Sequence, residues 1–246
     1  MEFKILSYNV NFALNGKDWR SENVVKAIIE SDADVVCLQE THRGFEKAFA
    51  QLGYPYSIYY HHQAAGGQGF LSRYPIIEEE TLYPNHVIQG SWFPIQIIKI
   101  QLSNEKIVQI VGVHLRPPIN EDLSANLFTA RNTNTYRLQE IEWTINQMGE
   151  KLENTIFIGD FNQHESAPAT RLLIEKYKFT DALEQYVPQS RETHRWRIIY
   201  NMWLLKKRLD HIIYSEHFKC KSCRVIDGYE ENASDHQPVL ATLEFK

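Results

Sequence analysis

The chain has 246 residues, 43% of them hydrophobic, and a formal net charge of −5. That length supports one substantial core, so a single domain over residues 1–246 is expected. The negative balance excludes a surface that is basic throughout, and any nucleic-acid binding needs a local positive patch. Three cysteines, Cys37, Cys220 and Cys223, give no disulfide framework. Residues 1–10 lack the charged and apolar regions of a signal peptide. No apolar run approaches the ~20 residues of a membrane span. An intracellular location is the expectation.

Phe3 to Val10 reads as a strand that stops at two amides, Asn9 and Asn11. Val24, Val25, Ile28 and Ile29 have helical spacing, with Ser21 as N-cap. Asp34 to Leu38 is a second apolar strand, and it runs into Glu40. That glutamate either caps the next helix or faces a cation. Residues 43–52 place Phe45, Ala48, Phe49 and Leu52 on one helical face, and Tyr54 to Tyr60 reads as a strand. His61 and His62 would face opposite ways on a strand, so they read as loop residues and not as a metal pair. Gly66-Gly67-Gln68-Gly69 lacks phosphate-loop spacing and reads as a flexible approach to the strand Phe70–Arg73. Pro75 interrupts before Ile76 and Ile77 restart a strand.

Residues 95–102 and 106–113 form a hairpin whose second strand ends in His114-Leu115-Arg116, stopped by Pro117 and Pro118. Residues 131–149 give the longest helix, with Arg137 read as a surface charge. Ile156-Phe157-Ile158-Gly159-Asp160-Phe161-Asn162 is a strand buried on both faces that ends in an acid and an amide. Two readings remain open there: an Asx-type turn, or a carboxylate desolvated for chemistry. Residues 195–208 carry five basic residues and no acid, with Trp196, Ile199, Tyr200 and Trp203 at helical spacing. Such a segment could track a nucleic acid, lie on a membrane surface, or pack on the core with a solvated basic edge. Leu209 to Tyr214 resumes a strand bearing Asp210. Cys220-x-x-Cys223 has no second pair for zinc and sits in a strand-like context, so it reads as structural. The chain ends with Ser234-Asp235-His236-Gln237-Pro238 and a last strand through Phe245.

Seven motifs occur in a meaningful order. They are Ser-Tyr-Asn-Val-Asn at 7–11, Leu-Gln-Glu at 38–40, Leu-Ser-Arg-Tyr-Pro at 71–75 and Val-His-Leu at 113–115. Gly-Asp-Phe-Asn at 159–162, Arg-Leu-Asp-His at 208–211 and Ser-Asp-His-Gln-Pro-Val at 234–239 complete the set. Over residues 3–245 the chain resembles the endonuclease/exonuclease/phosphatase superfamily. The resemblance implies an α/β fold: a four-layer α/β/β/α sandwich of two mixed β-sheets flanked by helices. It also implies Mg²⁺-dependent phosphodiester hydrolysis, with Mn²⁺ as a substitute, most simply as a DNA nuclease. By resemblance Glu40 is the principal metal ligand, with Asn9 beside it and Asp235 as a further metal-site acid. Asp160 orients or deprotonates the attacking water, Asn162 contacts a phosphate oxygen, Asp210 pairs with His236, and His114 stabilises phosphate or protonates the leaving group. Asn11 departs from the acid of the abasic-site endonucleases. Asn11, Arg73, Arg116, Trp196 and Trp203 are expected to meet the substrate at a cleft rim. The alternatives are a phospholipid or phosphoinositide hydrolase touching a membrane surface, and a non-catalytic module on the same fold.

Overall fold

The computed structural model describes residues 1–11, 18–62, 64–103, 105–121, 129–149, 152–186, 191–198, 203–229 and 233–246. For residues 18–20, 64, 130, 196–198 and 203–205 it describes the backbone alone. In chain order its first elements are β1 (Glu2–Asn9), α1 (Asp18–Ser31), β2 (Val35–Gln39), α2 (Arg43–Phe49), β3 (Tyr56–Tyr60) and β4 (Gln68–Ser72). Next come β5 (Ile76–Leu82), β6 (Ile95–Gln101), β7 (Ile107–His114), α3 (Thr129–Asn132), α4 (Asn134–Met148) and β8 (Thr155–Asp160). Then follow α5 (Pro168–Arg171), β9 (Thr180–Asp181), α6 (Ala182–Tyr186), β10 (His194–Ile198) and β11 (Trp203–Lys207). The chain closes with β12 (Asp210–Tyr214), β13 (Phe218–Val225) and β14 (Val239–Phe245).

Two six-stranded mixed sheets result, ordered β13-β14-β1-β2-β4-β3 and β5-β6-β7-β8-β12-β9. Successive side chains of a strand point to opposite faces, so the continuous apolar runs of β1, β2, β7 and β8 require cover on both sides. Three apolar layers provide it. Ile5, Cys37, Phe70, Ile98, Ile110, Ile156, Ile158 and Ile212 pack between the sheets. Leu6, Tyr8, Val36 and Leu38 pack with Val24 and Ile28 of α1 and Phe45 and Phe49 of α2. Val111, Val113 and Phe157 pack with Ile141 and Ile145 of α4. The fold is therefore the four-layer sandwich. Cys37, Cys220 and Cys223 are buried free thiols, and no described helix is long and apolar enough to cross a membrane.

Helix α1 begins at Asp18, which puts Ser21 inside it and not at its N-cap. Arg137 is not a surface charge but is 1% exposed. Its Nη1 donates to the Arg116 carbonyl at 2.7 Å and its Nη2 to Asn134 Oδ1 at 2.7 Å. Beside it Glu140 accepts the Arg116 backbone N–H at 3.0 Å and the Ser91 hydroxyl. These bonds tie α4 to the chain just past β7. Burial pushes the Glu140 carboxyl from 4.5 up to about 7. A folded-state pKa above the unfolded one means that the folded chain binds the extra proton. That stability is present below about 4.5 and is lost as pH rises through about 7. Glu140→Gln keeps an acceptor for Arg116 and can donate to Ser91, so its melting temperature should fall less than wild type across this window. Calorimetry at stepped pH measures the difference between the two curves.

Candidate active site

The parallel pairs β1/β2 and β7/β8 set four strand ends at one end of the sandwich. Asn9 pairs with Gln39, and His114 with Asp160. Antiparallel β12 adds Asp210 directly opposite Asp160. The chain leaves three of these ends through left-handed residues: Asn11 at φ 50°, Glu40 at φ 58° and Asn162 at φ 51°. Asparagine tolerates that region, but a glutamate there is strained by ~1–2 kcal/mol. Gly159 is required on packing grounds, because at its φ of 140° a Cβ would lie 2.0 Å from the Val113 carbonyl oxygen. It lets β8 approach β7 just before Asp160.

Asp160 serves both readings of its sequence. Its Oδ1 accepts the Asn162 backbone N–H at 2.8 Å, which makes the turn. Its Oδ2 accepts Asn9 Nδ2 at 3.1 Å and lies 3.7 Å from both His114 Nε2 and His236 Nε2. Asn9 Nδ2 also donates to Glu40 Oε1 at 3.1 Å, and that oxygen is 3.8 Å from His114 Nε2. Burial, partly opposed by the His236 charge, raises Asp160 to about 7. Burial lowers His114 to about 3, so the ring is neutral at pH 7. Its Nδ1 lies 3.2 Å from the Ala65 carbonyl, which assigns the proton there and leaves Nε2 as the acceptor facing the acids. Burial alone would also depress His236. The charges of Asp210 and Asp160 prevail and hold its pKa well above the usual value. His236 Nδ1 is 2.8 Å from Asp210 Oδ2. One histidine at the cluster is neutral and the other cationic. Asn162 Nδ2 donates to the Leu115 carbonyl at 3.0 Å.

Asp235 lies beside this cluster. Its Oδ1 accepts Asn11 Nδ2, and its Oδ2 is 3.5 Å from His194 Nε2. Burial pushes Asp235 up, but the His194 hydrogen bond and the His236 charge hold it well below its usual range. The His194 and His236 rings are 4.4 Å apart. Sequence reasoning missed His194. Its one signal was a histidine directly preceding the basic run.

Two rim expectations need correction. Arg73 lies past the far end of β4, because β4 runs antiparallel to β2 with Ser72 opposite Val35. It pairs with Asp32 at 2.7 Å and Asp34 at 3.1 Å, away from Glu40. Arg116 is near the cluster but 3% exposed and not on an open rim. Its guanidinium carbon sits 3.3 Å from the Trp92 ring centroid, and its Nη2 donates to the Ile119 carbonyl.

The 195–208 segment is no helix. Strands β10 and β11 pair antiparallel from His194↔Lys207 to Ile198↔Trp203. Residues 199–202 and the side chains of Trp196 and Trp203 lie outside the described part. The hairpin is fastened to the site by its base. His194 bridges His236. The Arg195 N–H donates to the Asp235 carbonyl at 3.0 Å, and the Gln237 N–H to the Thr193 carbonyl at 2.7 Å. Thr193 Oγ1 accepts the backbone N–H groups of Leu209 and Asp210. Glu192 offsets part of the positive charge through Arg195 at 3.3 Å and Lys206 at 3.1 Å.

A sequence model of the Endonuclease/Exonuclease/phosphatase family matches residues 6–236. The chain belongs to this family. No curated protein is matched by sequence. Among solved structures it is similar to the endonuclease/exonuclease/phosphatase from Bacteroides vulgatus at 20% identity and a TM-score of 0.75, covering 100% of both chains. It is also similar to the human Nocturnin catalytic domain with bound sulfate anion, at 15% identity and a TM-score of 0.73, covering 100% of this chain and 94% of that one. D. rerio TDP2 complexed with single strand DNA product matches at 15% identity and a TM-score of 0.72, covering 99% of each chain. At these identities the likeness is one of fold.

The donors at the strand ends fit a hard divalent cation. Glu40 Oε1 and Asp160 Oδ2 each accept from Asn9 Nδ2 at 3.1 Å and lie 3.8 and 3.7 Å from His114 Nε2, and oxygen is the preferred ligand of Mg²⁺. Asn9 Oδ1 accepts the Asn11 N–H at 2.9 Å, and its NH₂ group faces the two acids. Among the described residues, two groups of three bring ligand atoms within 4.8 Å of one another: Asp160, Asp210 and His236, and His194, Asp235 and His236. The charged Asp210–His236 pair makes a direct prediction. Asp210→Asn should lower the His236 pKa, and nitrogen-detected NMR titration should show the ring losing its proton at lower pH than in wild type. Identical titration curves would assign the cationic ring to Asp160 alone.

Proposed function

We propose that this chain is a divalent-metal-dependent phosphodiester hydrolase, with Mg²⁺ as the natural ion and DNA as the leading substrate. The observation that carries this reading is that Glu40 and Asp160, from two different sheets, face the same Asn9 amide and the same His114 ring, with the cationic His236 beside Asp160. A bound cation would neutralise charge developing on the phosphate, and Glu40 would be its principal ligand. Asp160, whose Oδ2 faces both His114 and His236, is suited to orient water and accept its proton. His236, fixed by Asp210, presents a positive Nε2 to a non-bridging oxygen or a leaving group. His114 acts as a neutral partner opposite it. The site residues are proposed in these roles on geometry and chemistry together. The membrane-surface reading assumes a helix over 195–208, and the described parts of that segment are two paired strands.

Hydrolysis of a small diester should stop in EDTA and return with Mg²⁺ or Mn²⁺. Glu40→Ala should lower the Mg²⁺-supported rate by ~10²–10⁴. Full activity in EDTA would end the proposal. For the nucleic-acid part, replacing Arg195, Arg197, Lys206 and Lys207 with Gln should weaken oligonucleotide binding. It should also flatten the dependence of log Kd on log salt, since each lost phosphate contact reduces that slope by about one. Fluorescence anisotropy across a salt series reads both effects. An unchanged slope would remove the hairpin from the binding surface.

A further inference from the structure

Among the described side chains, the two flanks of the catalytic cluster differ in chemistry. The sheet orders superimpose, with β14 over β12, β1 over β8 and β2 over β7. Edge strands β3 and β5 therefore lie on one side of the cluster. The hairpin β10–β11, joined to His236, lies on the other. The hairpin side carries Arg195, Lys206 and Lys207. The edge-strand side carries rings.

Those rings form a continuous series that starts at the catalytic histidine. Phe93 stacks on His114 with centroids 4.3 Å apart and planes at 18°. His62 meets Phe93 at 6.4 Å, and Tyr60 stacks with His62 at 6.2 Å and 18°. Tyr60 meets Tyr83 at 6.1 Å, and Tyr83 stacks on His86 at 4.9 Å and 6°. Trp92 branches from Phe93 at 6.1 Å and carries the Arg116 guanidinium on its face. Every step lies within the range of aromatic contact. Phe93 is buried, Tyr60, His62, Tyr83 and Trp92 are half-buried, and His86 is exposed. The series thus runs from the interior of the site outward to solvent. Tyr60 ends β3, where it pairs with Gln68, His62 follows two residues on, and Tyr83 follows β5 where Leu82 pairs with Ile95. Both are the catalytic end of their sheets.

We propose that this aromatic track is a subsite for unpaired nucleobases flanking the scissile phosphate on the His114 side. The inference rests on the nucleic-acid reading of the same centre and names the form of the substrate. Planar rings take planar rings regardless of base identity, and each such stack is worth a measurable share of affinity. A duplex keeps its bases stacked on one another, so only an unpaired strand offers them to the track. Phosphates on the opposite flank meet the cations of the hairpin. A single-stranded segment or frayed end that crosses from track to hairpin satisfies both flanks.

The test uses the full chain with Mg²⁺ and a set of single-stranded oligodeoxynucleotides of one sequence. In each, one abasic position is stepped across the cleavage point. We expect kcat/KM to fall about tenfold when the missing base lies within two nucleotides on one flank, and to change little on the other. In the wild-type chain held in EDTA, where turnover stops, 2-aminopurine at the sensitive position should lose fluorescence on binding. Tyr83→Leu and the exposed His86→Ala should bring the base-to-abasic ratio toward one, with melting temperature recording that the fold is intact. A response equal on both flanks, or a ratio unchanged in both variants, overturns the track. A chain that cleaves a small diester yet binds no oligonucleotide overturns the nucleic-acid reading as well, so the two failures are distinct.

Discussion

The structure is built around the desolvation of Asp160. A carboxylate 1% exposed to solvent loses several kcal/mol of hydration, and the cationic His236 at 3.7 Å returns part of it, about 4 kcal/mol near an effective dielectric of 20. The neutral His114 at the same distance adds no such charge, so the compensation is incomplete and the carboxyl rises to about 7. The surroundings hold the acid in place despite this. Gly159 allows the strand to close on Val113, Asn162 locks one oxygen with its backbone N–H, and Asn9 locks the other. Asn9 shares its NH₂ group with Glu40, so the two acids are spaced by a single amide.

Much of this was legible because burial on both faces leaves a plain trace. The runs at 3–10, 34–38 and 156–158 have no alternation, and each emerged as a strand covered by helix on one face and sheet on the other. Glu40, His114 and Asp160 stand at strand ends that parallel neighbours bring together, and Asp210 joins them at the start of an antiparallel strand. The sequence also shows Asp210 and His211 side by side, yet strand alternation sends them apart. His211 turns to Asp181 at 2.7 Å on the opposite face.

The misread residues share one cause, which is that local pattern does not encode strand direction or partner. Arg73 closes a strand as Glu40 does, but β4 is antiparallel to β2, so the two ends are a sheet length apart. Over 195–208 the apolar residues fit a period of 3.6, whereas tryptophan and isoleucine are also strand formers. Pairing of 194–198 with 203–207 outweighed the helical spacing. Arg137 reads as a surface charge in the sequence, and its neighbour Glu140 carries no signal there. Their partners are the Arg116 main chain and Ser91, which are remote in sequence and become visible only in the fold.

The hairpin's anchoring has a consequence for how such a site can change. Thr193 accepts the backbone N–H groups of Leu209 and Asp210, and its own carbonyl accepts the Gln237 N–H next to His236. The two residues of the charged Asp210–His236 pair therefore stand on loops that one threonine fastens together. Beyond Arg195 and Lys206 the backbone of the hairpin pairs only with itself among the described residues. Its base is tied to the site, so displacing Thr193 or His194 shifts the frame in which Asp210, Asp235 and His236 are held.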